Sequence, residues 1–445
     1  MLDKENAAAR KGVFLIDASK GFRKDGAKNR LREQDIHRIV DTFTRQVDVP
    51  RYARMVPLAE IADPKNDFNL NLPRYIDSTE PEDLQDIDGH LRGGIPTRDL
   101  DAADSPLAAY WQLLPGVRAA LFEPFDPSGR RPGYVRLLPA LSEVKPAIFG
   151  HAEFAAFQQQ SLTRFADWRT AATQHLTSFG KDGHPKVLIE TIAEALLAAF
   201  HQAPLLDAYD IYQQLMDYWA ETMQDDAYLI AADGWVAKTA RVVETDKKGK
   251  QKDKGWSCDL VPKALIVARY FAQEQAALDA RQAKLEAASA SLAELEEEHG
   301  GDEGALGALD KLAKAEVNAR LKEIKDDKEA RDEAALLTRW LELSEREATL
   351  KREVKALDAA LDTLAYEKYP KLSEAEIKAL VVDDKWMARL AAAVQGELDR
   401  VSQTLTGRIR QLAERYAAPL PQLVEEVETL AARVEEHLRK MGVGP

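Results

Sequence analysis

Phe271, Leu278, Leu285 and Leu292 fall seven residues apart, and Leu343, Leu350, Leu357 and Leu364 do so again beside Trp340, Val354 and Leu361. A seam this narrow buries one stripe against another helix and cannot enclose a globular core, so it predicts coiled-coil helices after Lys254. The composition there, rich in Ala, Leu, Glu and Lys with almost no aromatics, agrees. Gly300, Gly301, Gly304 and Gly307 interrupt the pattern, which favours an antiparallel hairpin over one continuous rod. Leu420, Leu423, Val427, Leu430, Val434 and Met441 give a third seam, and Ser373 with Glu376 reads as a capping box opening a helix through Ile377 and Leu380.

A chain of 445 residues, 45% hydrophobic and 31% charged, has room for two or three domains with cores. Its net charge of -14 excludes a molecule that clamps polyphosphate with its whole surface, so nucleic-acid contact would come from local basic patches or from a partner. The single cysteine, Cys258, excludes an intramolecular disulfide and a cysteine-based zinc cluster, and fits a cytoplasmic protein. Neither a signal-peptide core nor an apolar run of membrane-spanning length occurs.

The fold class expected is mainly α, with a short α/β portion at the N-terminus, a helical middle and long C-terminal coiled-coil helices. Four regions follow. Residues 1–78 hold a strand over Val13–Ile16, with no preceding element to pair with it, and a helix from Glu33 to about Gln46 on which Ile36, Ile39, Val40 and Phe43 recur. Residues 79–150 are rich in Pro and Gly, predicting irregular structure around Tyr110, Trp111, Leu113 and Leu114. Residues 151–254 are helical and end in a basic linker. Phe154, Phe157, Leu162, Phe165 and Trp168 mark one helix, and Ile189, Ile192, Leu196, Leu197 and Phe200 another. Residues 255–445 carry the coiled-coil seams.

Several groups could carry chemistry. Lys20, Arg23, Lys24, Lys28, Arg30 and Arg32, with Arg38, form a local basic excess suited to phosphate contact, against the plainer reading of a solvated loop. Lys247, Lys248, Lys250, Lys252 and Lys254 form a second cluster, where lysine also serves solubility. Tyr209, Tyr212, Leu215, Met216 and Trp219 make a stripe that either packs in the core or stacks bases, and the acidic neighbours Asp210 and Asp217 favour the core. Asn69 and Asn71, alternating with Leu70 and Leu72, suit an extended strand whose amides either tie down the chain or read adenine. The eight histidines are scattered, no phosphate-binding Gly-Lys loop or nucleophile elbow is present, and Gly442 to Gly444 is a tail. No catalytic, cofactor-binding or metal-ligating residue can be assigned from spacing.

GVFLIDASKGFRKDGAKNRLR (Gly12 to Arg32) and FNLNLPRYID (Phe68 to Asp77) resemble the region downstream of the catalytic motif in the methylase (M) subunit of type I restriction-modification systems. EPEDLQDIDGHLRGGIP from Glu80, DYWAETMQDD from Asp217, VVDDKW from Val381 and AVQGELDRVSQTL ending at Leu405 are similar to its later parts. The resemblance implies a DNA adenine N6 methyltransferase that uses S-adenosylmethionine. It also implies a specificity (S) subunit as partner, contact with DNA in the assembled complex, and a restriction (R) subunit that can join.

The family's Asn-Pro-Pro-aromatic motif and its Phe-x-Gly-x-Gly motif are both absent from the sequence. The resemblance therefore implies a C-terminal portion that binds no methyl donor alone, its N-terminal catalytic half lying before Met1, through a split gene or otherwise. The strand at Val13 would then sit late in a doubly wound sheet. Leu278, Leu285, Leu292, Leu343, Leu350, Leu357, Leu423, Val427, Leu430 and Val434 are the residues expected to dock the S subunit. The alternatives are a stand-alone coiled-coil protein that binds the S subunit or regulates assembly without catalysis, and an unrelated coiled-coil scaffold.

Overall fold

The structure, a computed structural model, describes residues 9–79, 84–103, 105–245, 251–301, 304, 306, 307, 309, 311–327 and 329–442. It is mainly helical, as composition and periodicity predict. Its principal helices are α1 (Glu33–Arg45), α2 (Ile87–Arg92), α3 (Ala152–Ser178), α4 (Pro185–Phe200), α5 (Ala208–Tyr218), α6 (Ala272–His299), α7 (Arg331–Lys368), α8 (Ala388–Arg415) and α9 (Leu420–Lys440). Two compact units form: Met1–Phe179, Gly183–Ala227 and Met387–Pro445 make the first, and Gly180–Asp182 with Tyr228–Trp386 the second. The C-terminal region read as one stretch from 255 onward is thus shared between the two.

The first unit opens with β1 (Gly12–Ile16), the ribbon of β2 (Arg23–Asp25) and β3 (Lys28–Arg30), α1, and β4 (Ala53–Pro57). The partner of β1 lies after it in the chain rather than before it. β1 pairs antiparallel with β4, Phe14 opposite Met55, and Val13 and Leu15 pack on Val56, Ile61, Tyr75 and Ile76. The strand expected through Asn69 and Asn71 is corrected. Asn69 Oδ1 accepts from Asn71 N at 2.9 Å, Tyr75 Oη donates to the Asn69 carbonyl at 2.6 Å, and Leu72–Arg74 form a 3-10 turn. An asparagine that closes its own turn withdraws the backbone from a ladder.

Residues 84–150 are more regular than their Pro and Gly content predicts. Short helices surround a three-stranded sheet in which β7 (Tyr134–Leu137) lies between β5 (Ile95–Pro96) and β6 (Phe122–Pro124). Trp111 and Leu114 are buried there as expected. Beyond, α4 packs on α3 and α5, and the α5 stripe goes into the core. Tyr212, Leu215 and Trp219 are buried, which leaves the base-stacking alternative without exposed rings at those positions. α8 runs against α3 and α5 through Leu390, Val394, Leu398, Val401, Leu405, Ile409 and Leu412, all buried and spaced three or four apart.

In the second unit α6 and α7 pair antiparallel. Arg281 meets Glu353 at 3.0 Å, Ser289 Oγ donates to Glu347 at 2.7 Å, and Trp340 Nε1 donates to Glu296 at 2.8 Å, so positions rise along one helix as they fall along the other. Leu295, Leu306, Val317, Ile324, Leu337 and Trp340 close one end. Toward the other, Trp256, on β9 (Gln251–Ser257), which pairs with β8 (Ala240–Thr245), lies against the rings of Tyr366 and Tyr369. Cys258 is buried, which pushes its thiol up.

The capping box at Ser373 forms as the sequence predicts. The Ser373 backbone N–H, the Lys368 ammonium, the Ser373 hydroxyl and the Tyr270 phenol pull the Glu376 carboxyl down to about 2, from 4.5 for an ordinary glutamate. A depressed folded-state value stabilises fully above the unfolded value, and the contribution is lost as pH falls through the folded one. Melting temperatures are therefore expected to drop more steeply between about pH 4.5 and pH 2 in the wild type than in Glu376→Gln. Parallel slopes would contradict this.

Candidate functional site

β2 and β3 form a ribbon with Arg23 opposite Arg30, turning at Gly26, whose φ of +60° suits a residue without Cβ. Lys20, Arg23, Lys24, Lys28 and Arg30 are all exposed, a charged edge in a chain of opposite net sign. Arg30 pairs with Asp25 at 2.9 Å, and Lys24 donates to Asn29 Oδ1 at 2.7 Å. Among the described residues Lys20, Arg23 and Lys28 have no ion pair. Asp17 anchors the loop that leads into the ribbon. The Ser78 and Ser19 hydroxyls hold its carboxyl below the usual range, against the effect of burial.

Arg32 is placed differently from the other five. Its guanidinium grips both carboxylate oxygens of buried Asp35 at 2.9 Å, and its backbone N–H donates to the same group at 2.8 Å. Burial pushes the Asp35 carboxyl up, and the bonds from Arg32 outweigh that and hold it below its ordinary range. Arg32 thus caps α1 rather than facing a phosphate. It also lines a cavity of about 340 Å³ where α1, α5 and α8 meet. The polar groups there satisfy one another: Gln34 Nε2 donates to Asp210 at 2.9 Å, Arg400 to Asp210 at 2.7 Å and to Glu397 at 2.6 Å, and Gln214 to Glu397 at 2.8 Å. This is a brace that fixes α1 on the helical core.

α1 is fixed by its polar face. Gln34, Asp35 and Thr42 are buried, and Tyr209 Oη donates to Asp41 at 2.9 Å. Burial, and then the bond to Asp41, push the Tyr209 phenol well above its ordinary value. Arg38 lies over the Tyr52 ring, 4.5 Å from its centroid, which accounts for the seventh cation of the basic tract. The apolar face is turned outward: Ile36, Val40 and Phe43 are 44–55% exposed, and Val47, just past the end of the helix, is 54% exposed. Apolar side chains grouped in this way mark a surface that meets another element.

The ten docking candidates separate into two groups. Leu350 is buried and Leu292 and Leu343 pack on the hairpin's end cluster, while Leu278, Leu285 and Leu357 are half-buried on α6 and α7. Those six are taken up by the hairpin itself. Leu423, Val427, Leu430 and Val434 on α9 are exposed, as are Leu420, Val424 and Leu438. Of the second lysine cluster, Lys247, Lys248 and Lys250 lie outside the described residues. Lys252 and Lys254 are exposed on β9, Lys254 pairing with Glu244 at 2.8 Å.

Among the described residues no group of His, Cys, Asp and Glu could hold a metal ion, and no helix is long and apolar enough to cross a membrane. Residues 1–84 match the N-6 DNA Methylase family. A stretch of 92 residues, 20% of this chain, is 38% identical to the type I restriction enzyme MjaVII methylase subunit of Methanocaldococcus jannaschii. That match covers 15% of the length of the archaeal subunit. No solved structure matches the chain.

Proposed function

We propose that this chain, whose residues 1–84 match the N-6 DNA Methylase family, serves as the docking and DNA-contacting part of a type I modification (M) subunit. Adenine N6 methylation from S-adenosylmethionine then requires catalytic segments that this sequence does not contain. The observation that carries the reading is the uncovered apolar seam of α9, joined to a chain whose start matches the methylase family. In this account Leu423, Val427, Leu430 and Val434 receive a helix of the S subunit, and the outward face of α1 receives the rest of the methylase. Lys20, Arg23 and Lys28 contact phosphate in the assembled complex. A restriction (R) subunit joins the complex and not this chain alone.

Flipping and methylating an adenine needs a pocket for the base and a donor held in line with it. Titration of S-adenosylmethionine into the purified chain is therefore expected to give no saturable heat. Micromolar saturable binding would overturn the non-catalytic reading. In the assembled complex, Lys20→Ala, Arg23→Ala and Lys28→Ala are each expected to reduce the slope of log affinity for duplex DNA against log salt by about 0.9. An unchanged slope in the triple variant would remove the ribbon from the interface.

A further inference from the structure

α9 spans Leu420 to Lys440 without one buried residue. A lone helix of roughly 20 residues is marginal in water even with favourable composition, so a cover for its apolar face is a condition of its stability. The pattern is specific: Leu420, Val427 and Val434 alternate with Leu423 and Leu430 at spacings of three and four, and all are exposed. We propose that α9 pairs antiparallel with α9 of a second copy of this chain, making a homodimer when no other partner helix is bound.

Charge selects both the occupant and the direction. With Val427 set against Leu430 of the second copy, Leu423 meets Val434 and the seam is filled from both sides. In that register Glu426 flanks Arg433 of the second copy, and two-fold symmetry repeats the contact. Neither residue has an ion pair among the described residues, and Glu426 only accepts a bond from Gln422 at 3.0 Å. A parallel pair would instead place Glu426 beside Ala431 and Arg433 beside Leu438, with no charge matched. Ile87 and Leu91, exposed on α2 where it touches the start of α9, lengthen the apolar face.

The self-pair goes beyond S-subunit docking and competes with it for one surface. Sedimentation equilibrium of the full chain tests it. A monomer–dimer equilibrium is expected, abolished by Leu430→Glu and weakened about tenfold by Arg433→Glu, which opposes like charges twice. The double variant E426R/R433E is expected to return the dissociation constant to within roughly threefold of wild type. All three changes lie on a fully exposed helix, so the core is untouched. A wild type that stays monomeric at about 50 µM, an unchanged constant in Arg433→Glu, or no recovery in the double variant would overturn the proposal. Because S-subunit binding is measured separately, loss of the dimer leaves the docking reading standing or falling on its own.

Discussion

Trp340→Ala is expected to destabilise the second unit by about 3–5 kcal/mol. Trp340 is 4% exposed and forms one side of the cluster with Leu295, Leu306, Val317, Ile324 and Leu337 that closes the α6–α7 hairpin. Truncation leaves a cavity that helices held by a two-residue seam cannot collapse to fill, so the upper part of the range applies. It also leaves Glu296 without the indole N–H that reaches it at 2.8 Å. Trp340→Phe keeps most of the packing and loses that bond, for an expected cost of about 1 kcal/mol plus a small cavity. Denaturant unfolding followed by amide exchange in α6 and α7 checks both. Equal costs for the two substitutions would mean that the hydrogen bond, and not the packing, holds the hairpin closed.

Tyr416→Ala is expected to cost about 3 kcal/mol or more in the first unit and to loosen the root of α9. The ring is 4% exposed, lies 4.9 Å from His90, and fits against Gly89, where an added Cβ would come within 2.9 Å of it. Its hydroxyl donates to Asp99 at 3.1 Å and accepts from the Asp86 backbone N–H at 3.4 Å, so one side chain ties both ends of the segment holding α2 and β5 to the end of α8. Burial raises the phenol above its ordinary value and keeps it protonated, as a donor must be. Tyr416→Phe should cost about 1 kcal/mol. Hydrogen exchange that quickens in α2 for Tyr416→Ala and not for Tyr416→Phe is the expected signature. Unchanged protection in both would show that α9 is rooted elsewhere.

The parts of this molecule that read well in the sequence are those in which one helix meets another along a fixed repeat. The heptads at Leu278–Leu292 and Leu343–Leu357, with glycines between them, specify the hairpin because each seam has a single possible use. α8 shows the limit of that logic. Leu390, Val394, Leu398 and Val401 carry similar spacing, yet this helix is buried against α3 and α5 in a globular core, and nothing in its own periodicity distinguishes the two outcomes. Likewise the recurrence of Ile36, Val40 and Phe43 predicts α1 but not that its polar face turns inward. That depends on Asp41 and Gln34 meeting Tyr209 and Asp210, far along the chain. β4, a five-residue strand ending in Pro57, carries too short a pattern to register in the sequence, so the partner of β1 does not show there either. The basic tract was legible as charge. That Arg32 would be spent on Asp35 follows from helix capping, which the pairing of Arg32 with an acid three residues on already signals.

On the proposed function, α9 is the grip by which this chain joins a type I assembly. Titrating the cognate specificity subunit into the full chain, and into Leu423→Glu/Leu430→Glu, while following complex mass by light scattering, tests it most directly. A saturable complex with the wild type, absent with the double variant while the folded core keeps its melting temperature, is the predicted result. No complex with the wild type, or equal affinity in the variant, would contradict it.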